Sequence, residues 1–541
     1  MNNIPQISHS KTSISNVLLC VFAIATVRDF LEVALQDKFL LVLEDPWHSL
    51  KLYFLHFNSF YFLIFIALTL MLYAWGRKTV SLAEVFRIGA VAMTAIWLGP
   101  VIDYVFDVPY DMAYPNNPAS VLANLHRFAD PTYSFGTLTP GMRVEILLVG
   151  LASGVFLSVK KNGAVKSVLG GLSMSLLCLC IGLLVPFLTQ VYEYGFDFSD
   201  EHKLSNSTLL HQGFLVSGSG RKISLLYASL IIVLGSIAYY LRDARKWKCI
   251  VANMRFTRSL HYLLLFFAGV FFTLKHPPMQ NVTYMGDFEF LDYITNNPFN
   301  VMGIIMGALS IFLSFQAAVI FNDIQDYHID RVSNSNRPLT THSISFAEYR
   351  DLGGIMLVAA LFIALCINEG LFMMVLLYNL LAHLYSTSPV RLRNYPVVSN
   401  LVLAFIFVLT FHAGSVTILS SYKFNNIPTQ LTFSLLLCFM LASTIKDAKD
   451  SEGDRVGGVS TLYTLFSRRW AGYVTVALVC LAILLFPWLL GFTDLLWFSV
   501  AIASAFVVVA KYVTRPMLKE LCITLLYFAY MLVLFCALLE A

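Results

Sequence analysis

Two segments of this chain set carboxylates at intervals that suit a metal–phosphate site. The first runs Asn322-Asp323-Ile324-Gln325-Asp326-Tyr327-His328-Ile329-Asp330-Arg331 and continues to Asn336-Arg337-Pro338-Leu339. The second runs Lys446-Asp447-Ala448-Lys449-Asp450-Ser451-Glu452-Gly453-Asp454-Arg455, with Gly457-Gly458 and Thr461-Leu462 beyond it. In both, three aspartates are spaced three and then four residues apart, which on a helix puts them on one face. Stacked carboxylates repel one another, and at a membrane border they are costly. Two such faces converging would gather about six negative charges, an arrangement that only a cluster of multivalent cations makes favourable. Carboxylates with water suit hard Mg²⁺, usually shared with substrate phosphates. Arg331, Arg337, Arg391, Arg393, Lys446 and Arg455 lie nearby in the sequence and would meet phosphate oxygens, arginine by bidentate pairing. The pattern predicts a Mg²⁺–diphosphate site at the mouth of a membrane cavity. One such run alone is commonly a solvated loop or a helix cap. Two in the same register are poorly explained that way.

The elements that must position these residues follow from composition. Of 541 residues, 58% are hydrophobic and only 13% charged, and the mean hydropathy is +0.72. Soluble domains carry about 25% charged residues, so this chain has too little charge to cover a water-facing surface. Disorder, collagen and disulfide-rich scaffolds are excluded. The net charge of +4 is too balanced to suggest nucleic acid. The nine cysteines mostly sit inside apolar runs without metal-ligand spacing, which predicts small buried hydrophobes. The chain reads as an all-α polytopic membrane protein.

A bilayer core takes about 20 apolar residues per helix. Candidate spans are 14–35, 52–75, 85–106, 144–159, 168–192 and 223–241, then 259–275, 300–321, 352–367, 370–385, 397–420, 430–446, 470–488, 493–511 and 518–540. The first could be a signal peptide, but Arg28, Asp29 and Glu32 follow its apolar core without a cleavage pattern, so it is kept as a span. Charge supports the count. From residue 242 onward, 19 of the 21 Lys and Arg fall on alternate loops, leaving only Lys275 and Lys423 on the other side. The positive-inside rule then puts the N-terminus and both aspartate loops in the cytoplasm and the C-terminus opposite. The polar stretch 242–258 divides an N-terminal domain of about six helices, 1–249, from one of about nine, 250–541.

The paired aspartate motifs, with Asn336-Arg337-Pro338-Leu339 and the later Glu452-Gly453-Asp454-Arg455, resemble the two signatures of the UbiA superfamily of intramembrane prenyltransferases. Tyr385-Ser386-Thr387-Ser388-Pro389-Val390-Arg391-Leu392-Arg393 is similar to that family's tyrosine-plus-basic loop, with arginine where lysine is common. The resemblance covers about residues 250–541 and implies a nine-helix bundle. It implies that Asn322, Asp323, Asp326 and Asp330, with Asp450 and Asp454, hold two Mg²⁺ ions bridged by the substrate diphosphate. Asp447 would be an extra ligand or orient the acceptor. Arg337, Tyr385, Arg391, Arg393 and Lys446 would steady the diphosphate. The implied reaction moves a polyprenyl chain from an allylic diphosphate to an aromatic, hydrophobic or other nucleophilic acceptor within the lipid bilayer. Ionisation of the C–O bond would give a carbocation, captured in a dry aromatic cavity. An intramembrane terpene cyclase and a non-catalytic prenyl-diphosphate carrier are the alternatives.

Aromatics make up 14% of the chain, with 44 Phe, but membrane cores need the same composition. Only Tyr327, inside the motif, is singled out. His328 is a candidate base or a solvated loop histidine. The N-terminal 241 residues carry no recognisable motif. Their long connections, 107–143 and 193–222, contain Pro109, Tyr110, Asp111, His126, Arg127 and Asp130. Asp103, Glu145 and Arg87 lie in or beside spans, where an ionisable residue marks either a site or a helix end. Asn206 and Asn281 begin sequon triplets of the kind that arise often by chance.

Overall fold

A computed structural model describes residues 13–35, 54–108, 118–130, 133, 138–196, 219–276, 297–419, 427–456 and 458–540. Pro109, Tyr110, Asp111, Asn206 and Asn281 lie outside these residues. The described residues form helices and no strands, and each of the predicted spans coincides with helix. Among the described residues, twelve helices are long and apolar enough to cross a membrane, or thirteen if the bent pair near residue 255 is one span. Contact clustering divides the chain into two compact units, Met1–Lys248 and Cys249–Ala541.

The N-terminal unit contains α1 (Ile14–Leu35), α2 (His56–Gly76), α3 (Leu82–Ala92), α4 (Leu98–Val105), α5 (Pro140–Val159), α6 (Ala164–Tyr194) and α7 (Ser219–Arg242). The single span expected at 85–106 is found as Leu82–Val105. A 3₁₀ segment, Met93–Trp97, separates α3 from α4. Pro100 falls in the first turn of α4, where its missing N–H costs no helical bond. Thr139 caps α5, accepting from Met142 N at 3.3 Å with Pro140 at the first position. Arg87 is half-buried and donates back to the Ala83 carbonyl of its own helix at 3.2 Å. Asp103 and Glu145 are buried.

A connecting helix, α8 (Ala244–Asn253), precedes the long helices of the C-terminal unit. These are α9 (Phe256–Lys275), α10 (Pro298–Gln325), α12 (Phe346–Ile367), α13 (Glu369–Ser386), α14 (Pro396–Thr417), α15 (Thr429–Ala442), α17 (Arg468–Leu489), α18 (Leu496–Tyr512) and α19 (Pro516–Glu540). Two short helices, α11 (Tyr327–Ser333) and α16 (Asp447–Val456), carry the aspartate motifs. Helix α10 is the axis. Polar side chains tie it to three neighbours: Ser310 Oγ donates to Ala360 O at 2.7 Å, Asn379 Nδ2 to Ser314 Oγ at 2.9 Å, and Gln316 Nε2 to Ser259 Oγ at 2.9 Å. Hydrocarbon drives no helix association, so such bonds and close backbone packing set the arrangement.

The closest packing is between α9 and α14. A Cβ at Gly269 would collide with the Phe411 carbonyl, and one at Gly414 with the Phe266 carbonyl. Backbone cannot swing aside as a side chain can. Gly269→Ala and Gly414→Ala are therefore expected to destabilise the protein by about 1–3 kcal/mol or more, the overpacking range. Gly354→Ala, which meets nothing within 4 Å, should be neutral or slightly stabilising. Thermal unfolding of the three purified variants checks this.

All nine cysteines are free. Cys178, Cys366 and Cys438 are buried as expected, but Cys20, Cys180 and Cys536 are exposed on helix surfaces.

Candidate active site

Asp323 occupies the last turns of α10, Asp326 the junction, and Asp330 the following helix α11. The expected single helix face is thus bent at Asp326, whose φ of −90° and ψ of 12° leave the helical region. The i→i−4 bonds still bridge the bend, from Asp326 N to Asn322 O and from Asp330 N to Asp326 O, both 2.8 Å. In the second motif, Asp447, Asp450 and Asp454 share one helix, α16. The side chain of Asp450 lies outside the described set.

Asp323, Asp326, Asp330 and Asp454 are each at most 3% exposed. Their oxygens are met by arginine. Asp323 Oδ1 accepts from Arg255 at 2.7 Å and Arg337 at 2.8 Å, and its Oδ2 from Asn253 at 3.3 Å and the Tyr349 hydroxyl at 3.2 Å. Asp330 accepts from Arg337 and, at 3.2 Å, from Asn334. Asp326 accepts from Asn322 at 2.8 Å, Arg391 at 2.6 Å and Arg393. The same Arg393 guanidinium donates to Asp454 at 2.7 Å. One guanidinium therefore bridges the two motifs. Arg391 holds its place with φ 38°, a left-handed conformation uncommon outside glycine and one that marks a constrained loop.

Lys446 sits slightly apart. Its Nζ donates to Ser399 Oγ at 2.6 Å and Tyr385 Oη at 3.2 Å, and lies 3.9 Å from Asp447. Of the other basic candidates, Arg331 is exposed and Arg455 donates to the Tyr463 carbonyl at 3.1 Å. Neither joins the cluster. Tyr327 packs edge-on against Phe346 at 4.9 Å, and His328 is exposed. Sequence reasoning missed Asn253 and Tyr349 and counted Arg255 only as a flanking charge. No spacing marks them, because each reaches Asp323 from another helix.

The electrostatics differ from the expectation in one respect. The aspartates were expected to need multivalent cations, but guanidinium groups already balance four of them. Burial still pushes the Asp330 carboxyl up to about 7, with Arg337 pulling it down and Asp323 adding to the rise. Among the described residues no three acidic groups close into a metal cage. The donor set nevertheless fits Mg²⁺, since Asn322 and the aspartates offer oxygen alone and no soft ligand competes.

Beside the charged cluster, aromatic rings form a stack across four helices. Tyr262 lies 4.8 Å from Phe315 and 4.9 Å from Phe407, which is 4.6 Å from Phe439. The Tyr262 hydroxyl is within electrostatic reach of Tyr385, the partner of Lys446.

Residues 293–538 match the model of the UbiA prenyltransferase family. Digeranylgeranylglyceryl phosphate synthase of Methanococcus aeolicus is 27% identical over 204 residues, covering 36% of this chain and 68% of its own length. The enzyme of the same name from Methanococcus maripaludis is 26% identical over 229 residues, covering 41% and 78%. A structure of a UbiA homolog from Archaeoglobus fulgidus, bound to DMAPP and Mg²⁺, aligns with 54% of this chain and 99% of that one, at 18% identity and a TM-score of 0.38. The matched segment contains both aspartate motifs and the Tyr385–Arg393 loop, so the likeness to the UbiA prenyltransferase family falls on the residues of the candidate site.

Proposed function

We propose that this protein is a Mg²⁺-dependent intramembrane prenyltransferase that moves a polyprenyl chain from an allylic diphosphate to a nucleophilic acceptor. The observation that carries this is Arg393, which joins Asp326 to Asp454 and so brings both motifs to one site. Asn322, Asp323, Asp326, Asp330, Asp450 and Asp454 would hold two Mg²⁺ ions. Bound Mg²⁺ would neutralise the leaving diphosphate and ease ionisation of the allylic C–O bond. Arg337, Arg391 and Arg393 would turn guanidinium donors from carboxylate to phosphate, which arginine can pair bidentately. Lys446, held by Tyr385 and Ser399, would add a point charge beside them. The stacked rings of Tyr262, Phe407 and Phe439 would exclude water and stabilise the cation by roughly 0.5–2 kcal/mol each.

Relatives named for digeranylgeranylglyceryl phosphate favour a glyceryl phosphate hydroxyl as acceptor over a phenol. The distribution of Lys and Arg supports a cytoplasmic N-terminus and cytoplasmic aspartate loops, with the C-terminus opposite. Mass spectrometry of lipid extracts from cells with and without the protein tests the reading. A prenylated acceptor is expected. A cyclised hydrocarbon formed without any co-substrate would replace it with the cyclase.

The domain division gives a second expectation. Residues 250–541 alone should insert as a folded bundle and bind a prenyl diphosphate with Mg²⁺, since every proposed ligand lies within them. Failure to bind in a folded truncation would refute the division. Turnover compared with the full chain shows whether the N-terminal domain serves the acceptor.

A further inference from the structure

The two oxygens of the Asp323 carboxylate are held by different kinds of donor. Among the described residues, Oδ1 accepts from two cations, Arg255 at 2.7 Å and Arg337 at 2.8 Å. The Arg337 nitrogen that reaches it, Nη1, also donates to Asp330, so one nitrogen joins two aspartates of the first motif. Oδ2 accepts from two neutral groups, the Tyr349 hydroxyl at 3.2 Å and Asn253 Nδ2 at 3.3 Å. These two are bonded to each other as well, Asn253 Nδ2 donating to Tyr349 Oη at 2.9 Å. Tyr349 is 1% exposed in the first turn of α12. Asn253 is half-buried at the last residue of α8.

A neutral amide and a phenol cancel none of the carboxylate's charge, and the two arginines already do that. What the neutral pair supplies is direction. The torsion that turns an aspartate carboxylate about its Cβ–Cγ bond is broad and weakly restrained by itself. Two donors that meet on Oδ2, are bonded to each other and come from two different helices remove that freedom. Oδ1 is thereby kept on the side of Arg337 and Asp330. A cation that replaced a guanidinium at Oδ1 would leave both bonds to Oδ2 in place. Carboxylates that ligate metals are commonly oriented by hydrogen bonds of this kind, and loss of such a partner costs roughly 10–100-fold in metal affinity or activity.

We propose that Asn253 and Tyr349, which lie outside both aspartate motifs, are positioning residues that fix the Asp323 carboxylate so that Oδ1 serves the metal–diphosphate site. This rests on the prenyltransferase reading given above. The test is titration of the purified full chain with Mn²⁺ in the presence of geranylgeranyl thiolodiphosphate, followed by electron paramagnetic resonance. Tyr349→Phe removes one oxygen atom and keeps the buried ring, and Asn253→Ala changes a half-buried residue at a helix end. Each is expected to purify folded and to bind Mn²⁺ roughly 10–100-fold more weakly than the parent. A second measurement separates positioning from a general structural role. If Tyr349 acts through Asp323, then adding Tyr349→Phe to Asp323→Asn should weaken Mn²⁺ binding by less than about twofold further, because the two changes interrupt one interaction. Parent-like Mn²⁺ affinity in either folded variant would overturn the proposal. So would an equal loss from Tyr349→Phe with and without Asp323→Asn. Both results would leave the prenyltransferase reading standing. A parent chain that binds no Mn²⁺ with the thiolodiphosphate would overturn that reading and the proposal together.

Discussion

Asp326→Ala and Asp450→Ala are each expected to lower turnover at least about a hundredfold, since catalytic metal contributions amount to several kcal/mol. Asp326 sits where three donors meet, Asn322, Arg391 and Arg393, at the bend that links α10 to α11. Removing it takes an oxygen from the proposed metal site and leaves two guanidinium groups without their shared partner. Asp450 stands between Asp447 and Asp454 on α16, in the register that matches Asp326. The bundle itself rests on glycine contacts and polar ties deeper in α9, α10 and α14, so both variants should purify as folded membrane protein. Their thermal unfolding should stay close to that of the parent. Near-normal turnover in both would remove the metal assignment.

Loss of divalent cation should have an effect at least as large. Turnover should cease on exhaustive chelation and return with Mg²⁺ or Mn²⁺, because the proposed ligands are oxygen alone. The arginines make this a sharp expectation. They neutralise the aspartates without metal, so the protein should remain folded in EDTA while losing activity. Activity that survives chelation would contradict the mechanism.

The helices were legible because a bilayer admits few alternatives to an apolar run of sufficient length. What the runs could not reveal was the 3₁₀ segment Met93–Trp97, which no local signal except Gly99-Pro100 marks. Helix α1 was readable as a span despite Arg28, Asp29 and Glu32, but not the reason it tolerates them. Arg28 and Glu32 form an ion pair at i,i+4 inside the unit. The aspartate motifs were legible from spacing, since three-and-four intervals dictate one helix face. Their partners were less so. Arg337, Arg391 and Arg393 were readable as phosphate ligands, whereas the structure pairs them with the aspartates. Asn253 and Tyr349 from other helices, and Arg255 from the break between α8 and α9, converge on Asp323, a tertiary fact with no linear trace. Asp103 and Glu145 were open between site and helix end. The structure gives Asp103 the second role, as an acceptor for Gly141 N at 2.7 Å. Glu145 is buried instead against Gly99 of α4.

The central claim is that two aspartate motifs far apart in sequence form one metal–diphosphate site. Electron paramagnetic resonance of Mn²⁺ bound to the full chain, with a non-ionisable prenyl thiolodiphosphate, tests it most directly. The account predicts two magnetically coupled Mn²⁺ ions that bind tightly only with the diphosphate present, and loss of the pair in Asp326→Ala and Asp454→Ala alike. A diphosphate-independent ion, or a coupled pair that survives Asp454→Ala in folded protein, would contradict it.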